Sequence, residues 1–599
     1  MSSAKPTIIL GINVSHNASC ALLVDGKIVA ACQEERFSRV KNHIGIPYKS
    51  IEFCLAFAKI KIDDVTEIVI CGNLQLPFYL SITSSSGTEA SVGIEKSGSI
   101  FHFLRYRVLH SFYKYSKVVG QVDFFLTWFI DHVVGFWARA KIQTDISERL
   151  KIGRERITFV DHHSTHAAYA FYSSGFAIRG ENVLVFTADG GGDEAAASVW
   201  LGKKGKISKI STTSISNSIA YMYMYTTLYL GLAPVEDEYK VMGLAPYGKK
   251  ADVDEIYSKL DKFISVDKKT LQFKASINTN LFYKFVDDIY RQSRFDAIAG
   301  GIQKLLEVKV CEWVSATCKK YKVSKIITGG GLFANVKLNG KLQDLSNISG
   351  AYFAPSPGDE SNSIGACYLR YKELYPHLPV IPLDNLYLGP EEGKQALGDI
   401  VKRAKEKGYE VSKPRDINMT VATLLVRGEI VARISGRCEF GTRALGNRSI
   451  IANPIDLKVK DYLNNSIKSR DFWMPFAPTV LDQYQKKYLK NPKNISSPFM
   501  MTTFHTTDLG AGDLAAAIHP FDKTARAQIL KKDDNSSYWD LVFKFSKLSS
   551  LGGVLNTSFN LHGEPIVCAF SDALSTFERS GLEYMQVEDY LIEKSKKRN

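Results

Sequence analysis

The stretch TIILGINVSHNASCALLVDGKIVAA, residues 7–31, predicts apolar strands around one short polar turn. Its first eight residues have the length and apolar composition of a buried strand. The run ALLVDGKIVAA alternates like a β-hairpin, with Asp25 and Gly26 as the turn pair. The polar turn SHNAS separates the two. The chain therefore begins with a strand, a small-residue turn and a strand.

Actin-like ATPase domains begin with this order of elements, and the main-chain N–H groups of their first turn face phosphate. Strands and helices alternate again in residues 155–201 and 325–367. There, RITFVDHH predicts a strand feeding a helix, and KIITGGGLFAN predicts a strand, a glycine loop and a helix. The predicted fold class is therefore α/β.

The 599 residues suffice for two to four domains. A proline-rich, weakly patterned stretch at 375–394 reads as a domain junction. We predict one domain over residues 1–380 and a second α/β domain over 381–599. A segment at about 80–150 interleaves aromatic and basic residues at helical spacing, which fits either a helical hairpin that covers the core or a wall of a substrate pocket.

Composition narrows the classes of function. The net charge of +14 favours anionic ligands such as nucleotides and phosphates, although a generic basic surface gives the same total. Nine cysteines without a CxxC pair indicate a reducing compartment rather than a disulfide framework or a zinc finger. The most apolar segment, 118–138, is interrupted by Asp123 and Asp131, unlike a membrane span. We predict a cytoplasmic protein that does not enter a membrane.

Three histidines fall in HHSTHAAYAFYSSGF, residues 162–176. On a helix His162 and His166 share one face, so both imidazoles are able to bind one metal ion, while His163 points elsewhere. A structural histidine pair has the same spacing. Two aspartates on glycine-flanked turns, Asp189 in TADGGGDE and Asp359 in SPGDES, favour the metal interpretation. Two imidazoles and two carboxylates suit a divalent ion such as iron(II) or manganese.

Glycine-rich turns at 190–192 and 329–331 each follow a strand, where main-chain N–H groups are able to reach phosphate, although a plain tight turn looks the same. The sequence EDEYKVMGLAPYGK adds Lys240. The C-terminal half carries a dense group of cations among glycines, which predicts a buried anion site rather than a solvated charged surface. Its candidates are Arg437, Arg443, Arg448, Lys468, Arg470, His519 and Arg526, with Asn556, Ser558 and Asn560 nearby.

Over almost its whole length the chain resembles the O-carbamoyltransferases of the NodU/CmcH family. The N-terminal part of that family resembles the metal-dependent TsaD fold, a relative of actin-like ATPases, and its C-terminal part resembles the YrdC fold. The matching segments are HNASCALLVDGKIVAACQEERFSR, DHHSTHAAYAFYSSGF, ADGGGDE, YKVMGLAPYGK, TGGGLFANVKLN, SPGDES, GRCEFGTRALGNRSI, MPFAPTVL and NTSFNLHGEPIV.

The resemblance implies two reactions. The C-terminal domain would convert ATP, used with Mg²⁺, and carbamoyl phosphate into carbamoyl adenylate, and the N-terminal domain would transfer the carbamoyl group to a hydroxyl. By this resemblance His162, His166, Asp189 and Asp359 bind iron(II), manganese or magnesium. It also implies catalytic roles for His16, Arg443 and Arg526. Carbamoyl phosphate and nucleotide would contact the cationic group named above, together with Lys240, Gly330, Gly331 and Asn335.

The acceptor is left open by the resemblance, because the family modifies aminoglycosides, cephems, macrolactams, lipo-oligosaccharides and guanidinium alkaloid toxins. Two positions depart from the family pattern. Asn17 replaces an acidic residue, which puts the acceptor contacts in question, and Thr442 replaces a proline. A tRNA threonylcarbamoyl transferase and a non-catalytic scaffold are the alternative functions, and a homodimer is compatible with the sequence. No recognisable RNA-binding module accompanies the basic charge, so nucleic acid is the less favoured partner.

Overall fold

The computed structural model describes residues 5–74, 117–468 and 470–594. The strands in these ranges are β1 (Ile8–Asn13), β2 (Ser19–Val24), β3 (Lys27–Gln33), β4 (Glu67–Cys71), β5 (Ile157–Val160), β6 (Val183–Gly192), β7 (Ala195–Lys203), β8 (Lys206–Ser214), β9 (Ile264–Asp267), β10 (Gln272–Ala275), β11 (Lys325–Gly329), β12 (Gly350–Phe353), β13 (Glu410–Ser412), β14 (Val431–Ile434), β15 (Arg448–Ala452), β16 (Ala477–Leu481), β17 (Leu489–Lys490), β18 (Phe504–Thr506), β19 (Thr524–Ala525), β20 (Gln528–Leu530), β21 (Gly553–Ser558), β22 (Tyr584–Val587) and β23 (Tyr590–Glu593).

Helices cover and connect these strands. The α-helices are Glu35–Ser38, Tyr48–Ala58, Lys117–Leu150, His162–Ser173, Phe176–Arg179, Ile219–Tyr229, Glu238–Leu244, Lys250–Asp261, Val286–Tyr290, Phe295–Tyr321, Val336–Asp344, Asn362–Leu374, Lys394–Glu406, Ile417–Val426, Leu457–Tyr462, Gln485–Tyr488, Asp508–Asp513, Ser536–Ser549 and Phe570–Arg579. Short 3₁₀ turns span Ile62–Asp64, Arg154–Arg156, Ile215–Asn217, Ala245–Tyr247, Thr279–Lys284, Gly331–Ala334, Asp359–Ser361 and Asp482–Tyr484, and Leu463–Lys468 is a π-helix.

Two five-stranded sheets repeat one topology. The first has the order β3-β2-β1-β4-β5, and the second has the order β8-β7-β6-β11-β12. In each, the first three strands form an antiparallel meander, and the last two strands run parallel to the first strand of that meander. Such a duplicated α/β unit is the core of the actin-like fold, so the fold predicted for the N-terminal half is confirmed. The predicted hairpin is also present, with Asp25 at φ 47° and Gly26 at φ 81°.

The two sheets are joined by a buried pair of helices, His162–Ser173 and Asn362–Leu374, whose apolar residues share one core with both sheets. The helices touch where Gly365 faces Thr165. A Cβ atom on Gly365 would lie 2.1 Å from the Thr165 carbonyl oxygen, so only glycine permits this approach. This contact sets the distance between the histidine helix and the loop that precedes the second helix.

The C-terminal half contains an eight-stranded mixed sheet of order β13-β23-β22-β14-β15-β21-β16-β20. Helices pack on both of its faces, with Phe570–Arg579 on one side and Ile417–Val426 and Ser536–Ser549 on the other. The α/β class predicted for this half is therefore confirmed, while the boundary at residue 380 stays a prediction.

The two halves share one apolar core. Tyr488, Phe504 and Ile529 of the C-terminal half pack in the same cluster as Trp313 and Leu338 of the N-terminal half. Polar contacts strengthen the junction, since the Asn339 side-chain amide donates to the Met501 carbonyl over 2.6 Å. Buried apolar contacts therefore hold the two halves together, in addition to the covalent connection of the chain.

Only part of the predicted aromatic and basic segment is described. Residues 117–150 form one continuous helix of 34 residues. The remainder of that prediction, residues 80–116, lies outside the described residues. None of the helices in the described ranges combines the length and apolar character that crossing a membrane requires.

Candidate active site

Four side chains from three segments converge at the carboxyl ends of the strands. His162 and His166 come from the first turns of the helix that follows β5, Asp189 comes from the end of β6, and Asp359 begins the turn after β12. One ligand atom of each lies within 4.8 Å of the other three. The carboxyl ends of parallel strands are where open α/β sheets place their ligands.

The spacing of these atoms fits one shared cation. The two imidazole Nε2 atoms are 3.2 Å apart, and His166 Nε2 lies 3.2 Å from Asp189 Oδ2 and 3.5 Å from Asp359 Oδ1. His162 Nε2 lies 3.6 Å from Asp359 Oδ1 and 3.9 Å from Asp189 Oδ2. Ligands about 2.0–2.2 Å from one ion would be roughly 3.0–4.4 Å from each other. The residues present therefore fit a divalent metal.

The electrostatics of the group also favour a bound cation. Burial lowers the pKa of His162 and of His166, but Asp189 and Asp359 outweigh burial and raise both pKa values above the ordinary value. Burial raises the pKa of Asp189, and the two imidazoles reverse this and hold it well below its usual range. A half-buried pair of carboxylates favours positive charge beside it, and a bound metal ion would supply that charge once the imidazoles have lost their protons.

His163 does not join the group. Its ring nitrogens contact Thr187 Oγ1 at 2.9 Å and the Ala195 carbonyl oxygen at 3.1 Å. Burial, followed by the charge of His162, lowers its pKa to about 3. It is a neutral, fully partnered imidazole that ties the histidine helix to the second sheet.

His16 lies in the first turn with an open ring nitrogen. Its buried Nε2 contacts no hydrogen-bonding group in the described part of the chain. Burial lowers its pKa, in spite of the nearby carboxylates of Asp359 and Asp189, so the imidazole is neutral near pH 7. Its neighbour Ser15 donates to Asp359 Oδ2 over 3.2 Å, which fixes the turn beside the four-residue group.

Asn17 and Glu360 lie beside this turn. Asn17 adopts φ 59° and its side-chain amide donates to Glu360 Oε2 over 3.5 Å. Burial raises the pKa of the Glu360 carboxyl to about 7. Glu360 was not predicted from the sequence, because the glycine-flanked turn SPGDES indicates Asp359.

Three half-buried guanidinium groups form a second group of candidate functional side chains, called the arginine cluster below. No carboxylate in the described ranges lies within ion-pair distance of Arg443, Arg470 or Arg526, and Arg526 Nε is buried without a partner there. Burial and the charge of Arg470 lower the pKa of Arg443 to about 10. Burial, together with Arg443 and Arg470, lowers the pKa of Arg526 well below its usual value. Three like charges that no carboxylate in the described ranges compensates would be stabilised by a multiply charged anion.

Lys468 ends the π-helix next to these arginines. Its ammonium donates to the Asn560 side-chain oxygen over 2.7 Å and to the Asn560 carbonyl over 2.9 Å, and it also contacts Ser558. Burial and then Arg470 hold the pKa of Lys468 well below its usual range. Lys468, Ser558 and Asn560 were predicted as binding residues, and the structure brings them together.

The loop that carries Arg443 is shaped by a buried carboxylate. Glu439 Oε1 accepts hydrogen bonds from the main-chain N–H groups of Leu445, Asn447 and Arg448 over 2.9, 2.8 and 3.1 Å. These bonds bend residues 439–448 into a closed turn that contains Arg443. Glu439 was not singled out from the sequence.

The structure does not bring Arg437 and Arg448 into the arginine cluster. The Arg437 guanidinium donates to the Gly389 and Leu388 carbonyls and lies 4.1 Å from the centre of the Phe57 ring. The Arg448 guanidinium donates to the carbonyls of Cys568, Ser435, Gly436 and Asn447. Half-buried Arg437 and buried Arg448 therefore stabilise the backbone, because carbonyl oxygens accept hydrogen bonds from both guanidinium groups.

The other predicted contacts lie around these two groups of side chains. His519 Nε2 lies 2.9 Å from the Gly243 carbonyl oxygen, and the buried Asn556 Oδ1 has no hydrogen-bond partner among the described residues. Lys240 pairs with Asp237 at 3.2 Å and with Asp471 at 3.8 Å, so it joins the two halves. Asn335 accepts from Leu338 N over 3.0 Å and caps the following helix.

The glycine loop after β11 approaches the carboxylates. The Gly331 N–H donates to Asp189 Oδ2 over 3.1 Å. Gly330 adopts φ 93°, and a Cβ atom there would lie 2.3 Å from the Ala188 carbonyl oxygen, so glycine is required by both conformation and space. The glycine loop therefore packs directly against the end of β6 and against the Asp189 side chain.

The loop of the arginine cluster contacts the loop that carries Asp359. Gly441 packs directly on Ser356, since a Cβ atom on this glycine would lie 2.5 Å from Ser356 Oγ. Ser356 in turn donates to Glu360, the residue after Asp359. The loop of Arg443 therefore touches the loop of Asp359, and the structure defines a two-part α/β protein with an actin-like core and two adjoining polar sites.

Two protein-family models match the two halves of the chain. The carbamoyltransferase N-terminus family model matches residues 8–368, and the carbamoyltransferase C-terminus model matches residues 422–594. The nodulation protein NolNO of Sinorhizobium fredii is 30% identical over 97% of this chain and 79% of its own length. An uncharacterized protein of Methanocaldococcus jannaschii is 30% identical over 98% of this chain and 100% of its own length. Among solved structures, HypF of T. kodakarensis aligns at 9% identity over 63% of this chain and 49% of its own, with a TM-score of 0.34.

The chain therefore belongs to the carbamoyltransferase family. This family membership, predicted from the motifs, is confirmed, and it supports carbamoyl transfer as the activity.

Proposed function

We propose that this chain is an ATP-dependent O-carbamoyltransferase that activates carbamoyl phosphate in its C-terminal half and carbamoylates an alcohol in its N-terminal half. The observation that carries the proposal is that two groups of side chains adjoin through the contact of Gly441 with Ser356. One is the cluster of three arginines that have no carboxylate partner in the described ranges, and the other is the group of two histidines and two aspartates, called the His/Asp group below. The net charge of +14 agrees with two highly anionic substrates.

In the first reaction Arg443, Arg470 and Arg526 hold the phosphate groups of carbamoyl phosphate and ATP. Water releases phosphate from carbamoyl phosphate and leaves carbamate. A carbamate oxygen then bonds to the α-phosphorus of ATP, and the bond to pyrophosphate breaks. Carbamoyl phosphate, ATP and water thus yield carbamoyl adenylate, phosphate and pyrophosphate. The arginines stabilise the charge that develops on the phosphoryl oxygens in a site shielded from water.

In the second reaction the acceptor hydroxyl attacks the carbamoyl carbon, and the bond between that carbon and the AMP oxygen breaks. The neutral imidazole of His16 takes the hydroxyl proton at its open Nε2. His162, His166, Asp189 and Asp359 would hold a divalent metal, for which the two imidazoles favour iron(II) or manganese over magnesium. Such an ion would supply Lewis-acid polarisation of the carbonyl oxygen.

The acceptor belongs to the small hydroxylated natural products, among which aminoglycosides and guanidinium alkaloids are the first to test. Purified protein is incubated with ATP, carbamoyl phosphate and one acceptor at a time, including tRNA. We expect pyrophosphate release that requires carbamoyl phosphate, and one alcohol that gains the mass of a carbamoyl group. Carbamoyl phosphate-independent pyrophosphate release, or product on tRNA alone, would refute the proposal.

A further inference from the structure

Asp193, in the glycine-rich turn after β6, has a function that the two reactions leave unassigned. Its carboxylate accepts hydrogen bonds from three main-chain N–H groups. Asn73 N lies 2.8 Å from each oxygen, Leu74 N lies 2.7 Å from Oδ1, and His162 N lies 2.9 Å from Oδ2. Asp193 therefore connects the segment after β4 with the start of the histidine helix.

The third of these bonds reaches a metal-site residue directly. His162 is the first residue of its helix, and the N–H groups of a first helical turn have no partner within the helix. Asp161 accepts the N–H of Ser164 over 2.8 Å, and Asp193 accepts that of His162. The N-terminus of this helix is thus held by one carboxylate from its own cap and one from another loop.

The same loop also touches the imidazole. A Cβ atom on Gly192 would lie 2.3 Å from His162 Cγ, so the residue before Asp193 packs against the ring face. Asp193 adopts φ 49°, which turns its side chain back toward the helix. The loop therefore restrains His162 at two points, its main-chain nitrogen and its ring.

We propose that Asp193 is a positioning residue that fixes His162 for metal binding, an inference that rests on the proposed function of the His/Asp group. Among the described residues, both oxygens of Asp193 accept hydrogen bonds from main-chain N–H groups. Asp193→Asn replaces one acceptor oxygen with a donor amide that opposes an N–H group of Leu74 or His162. The loop must then move, and His162 moves with it.

The test compares full-length wild-type protein with Asp193→Asn. Metal-free protein is titrated with Fe(II) under anaerobic conditions and with Mn(II), and affinity is measured by competition with a chelator. We expect the metal affinity of Asp193→Asn to fall by about 10-fold or more, the range found when groups that orient metal ligands are changed. Pyrophosphate release from ATP and carbamoyl phosphate should stay within about twofold of wild type, since the arginine site is untouched.

Asp161→Asn is the matched control. It removes the same charge at the same helix end, but asparagine caps helices as well as aspartate does. We expect unchanged metal affinity in this variant. Equal affinity of wild type and Asp193→Asn would overturn the positioning role and leave the proposed function standing. A wild-type protein that binds neither metal would overturn both.

A measurement on the wild-type protein covers the case in which Asp193→Asn does not fold. Hydrogen exchange is followed at the amides of Asn73, Leu74 and His162. We expect slow exchange at all three, because each N–H is bonded to Asp193. Exchange at the rate of open loops would overturn the proposal.

Discussion

Substitution of Arg443 by alanine removes one of the three guanidinium groups that have no acidic partner in the part of the chain that the structure describes. If Arg443 donates a charge-assisted hydrogen bond to a substrate phosphate, its loss costs about 1.5–3 kcal/mol. At about 1.4 kcal/mol per factor of ten, kcat/KM for carbamoyl phosphate should fall roughly 10- to 150-fold. The loss should exceed this range if the cluster must be complete for anion binding.

The same substitution should not weaken the fold. Burial and Arg470 lower the pKa of Arg443 to about 10, so its charge is disfavoured in the folded protein. Because the pKa of Arg443 is lower in the folded than in the unfolded protein, the charged guanidinium destabilises the folded state. This destabilisation is fully present at every pH below about 10. Removing the charge should raise the free energy of unfolding by on the order of 1–3 kcal/mol. The loss of side-chain packing offsets part of this gain. We expect an unfolding temperature equal to or above that of wild type.

The assay follows pyrophosphate release at varied carbamoyl phosphate and saturating ATP, alongside thermal unfolding without ligands. Arg427→Ala, at an exposed arginine, controls for the loss of one positive charge. Unchanged kcat/KM in Arg443→Ala would refute the assignment of the anion site. Loss of activity accompanied by a large fall in unfolding temperature would instead mean that Arg443 supports the fold.

Three other changes test the remaining structure. His166→Ala removes one of four convergent ligands, so metal analysis should find little bound ion and transfer should be lost; full occupancy with normal turnover would contradict this. Glu439→Gln keeps an acceptor for the three loop N–H groups and should retain most pyrophosphate release, whereas Glu439→Ala should lose it; equal activity of both variants would refute the shaping role. Gly365→Ala places a Cβ against the Thr165 carbonyl and should lower stability by about 1–3 kcal/mol in denaturant unfolding; an unchanged midpoint would show that the helices need no such contact.

Much of the N-terminal architecture is predictable from local patterns. Strand β1, the hairpin at Asp25 and Gly26, and the helix that begins at His162 follow from apolar runs, turn residues and spacing. His162 and His166 are predicted as a pair from their helical spacing, and Asp189 and Asp359 are candidates because they lie on glycine-flanked turns, while the family resemblance implies the complete set of four.

The residues that the sequence does not reveal act through the main chain. Asp193 and Glu439 each accept three main-chain N–H groups, and their partners are fixed by the fold rather than by any spacing of residue types. The arginines illustrate the same limit. Arg443 and Arg448 stand five residues apart among the same glycines, yet Arg448 donates to carbonyl oxygens, while Arg443 has no carboxylate within ion-pair distance in the described ranges.

The most direct test of the two-site account compares Arg443→Ala with His162→Ala when preformed carbamoyl adenylate is supplied. Arg443→Ala should release little pyrophosphate from ATP and carbamoyl phosphate, but it should carbamoylate the acceptor once the adenylate is added. His162→Ala should release pyrophosphate and make no carbamate ester, even with added adenylate, because its arginine site is intact and its His/Asp group is not. The reverse pattern, or equal loss of pyrophosphate release in both variants, would contradict the account.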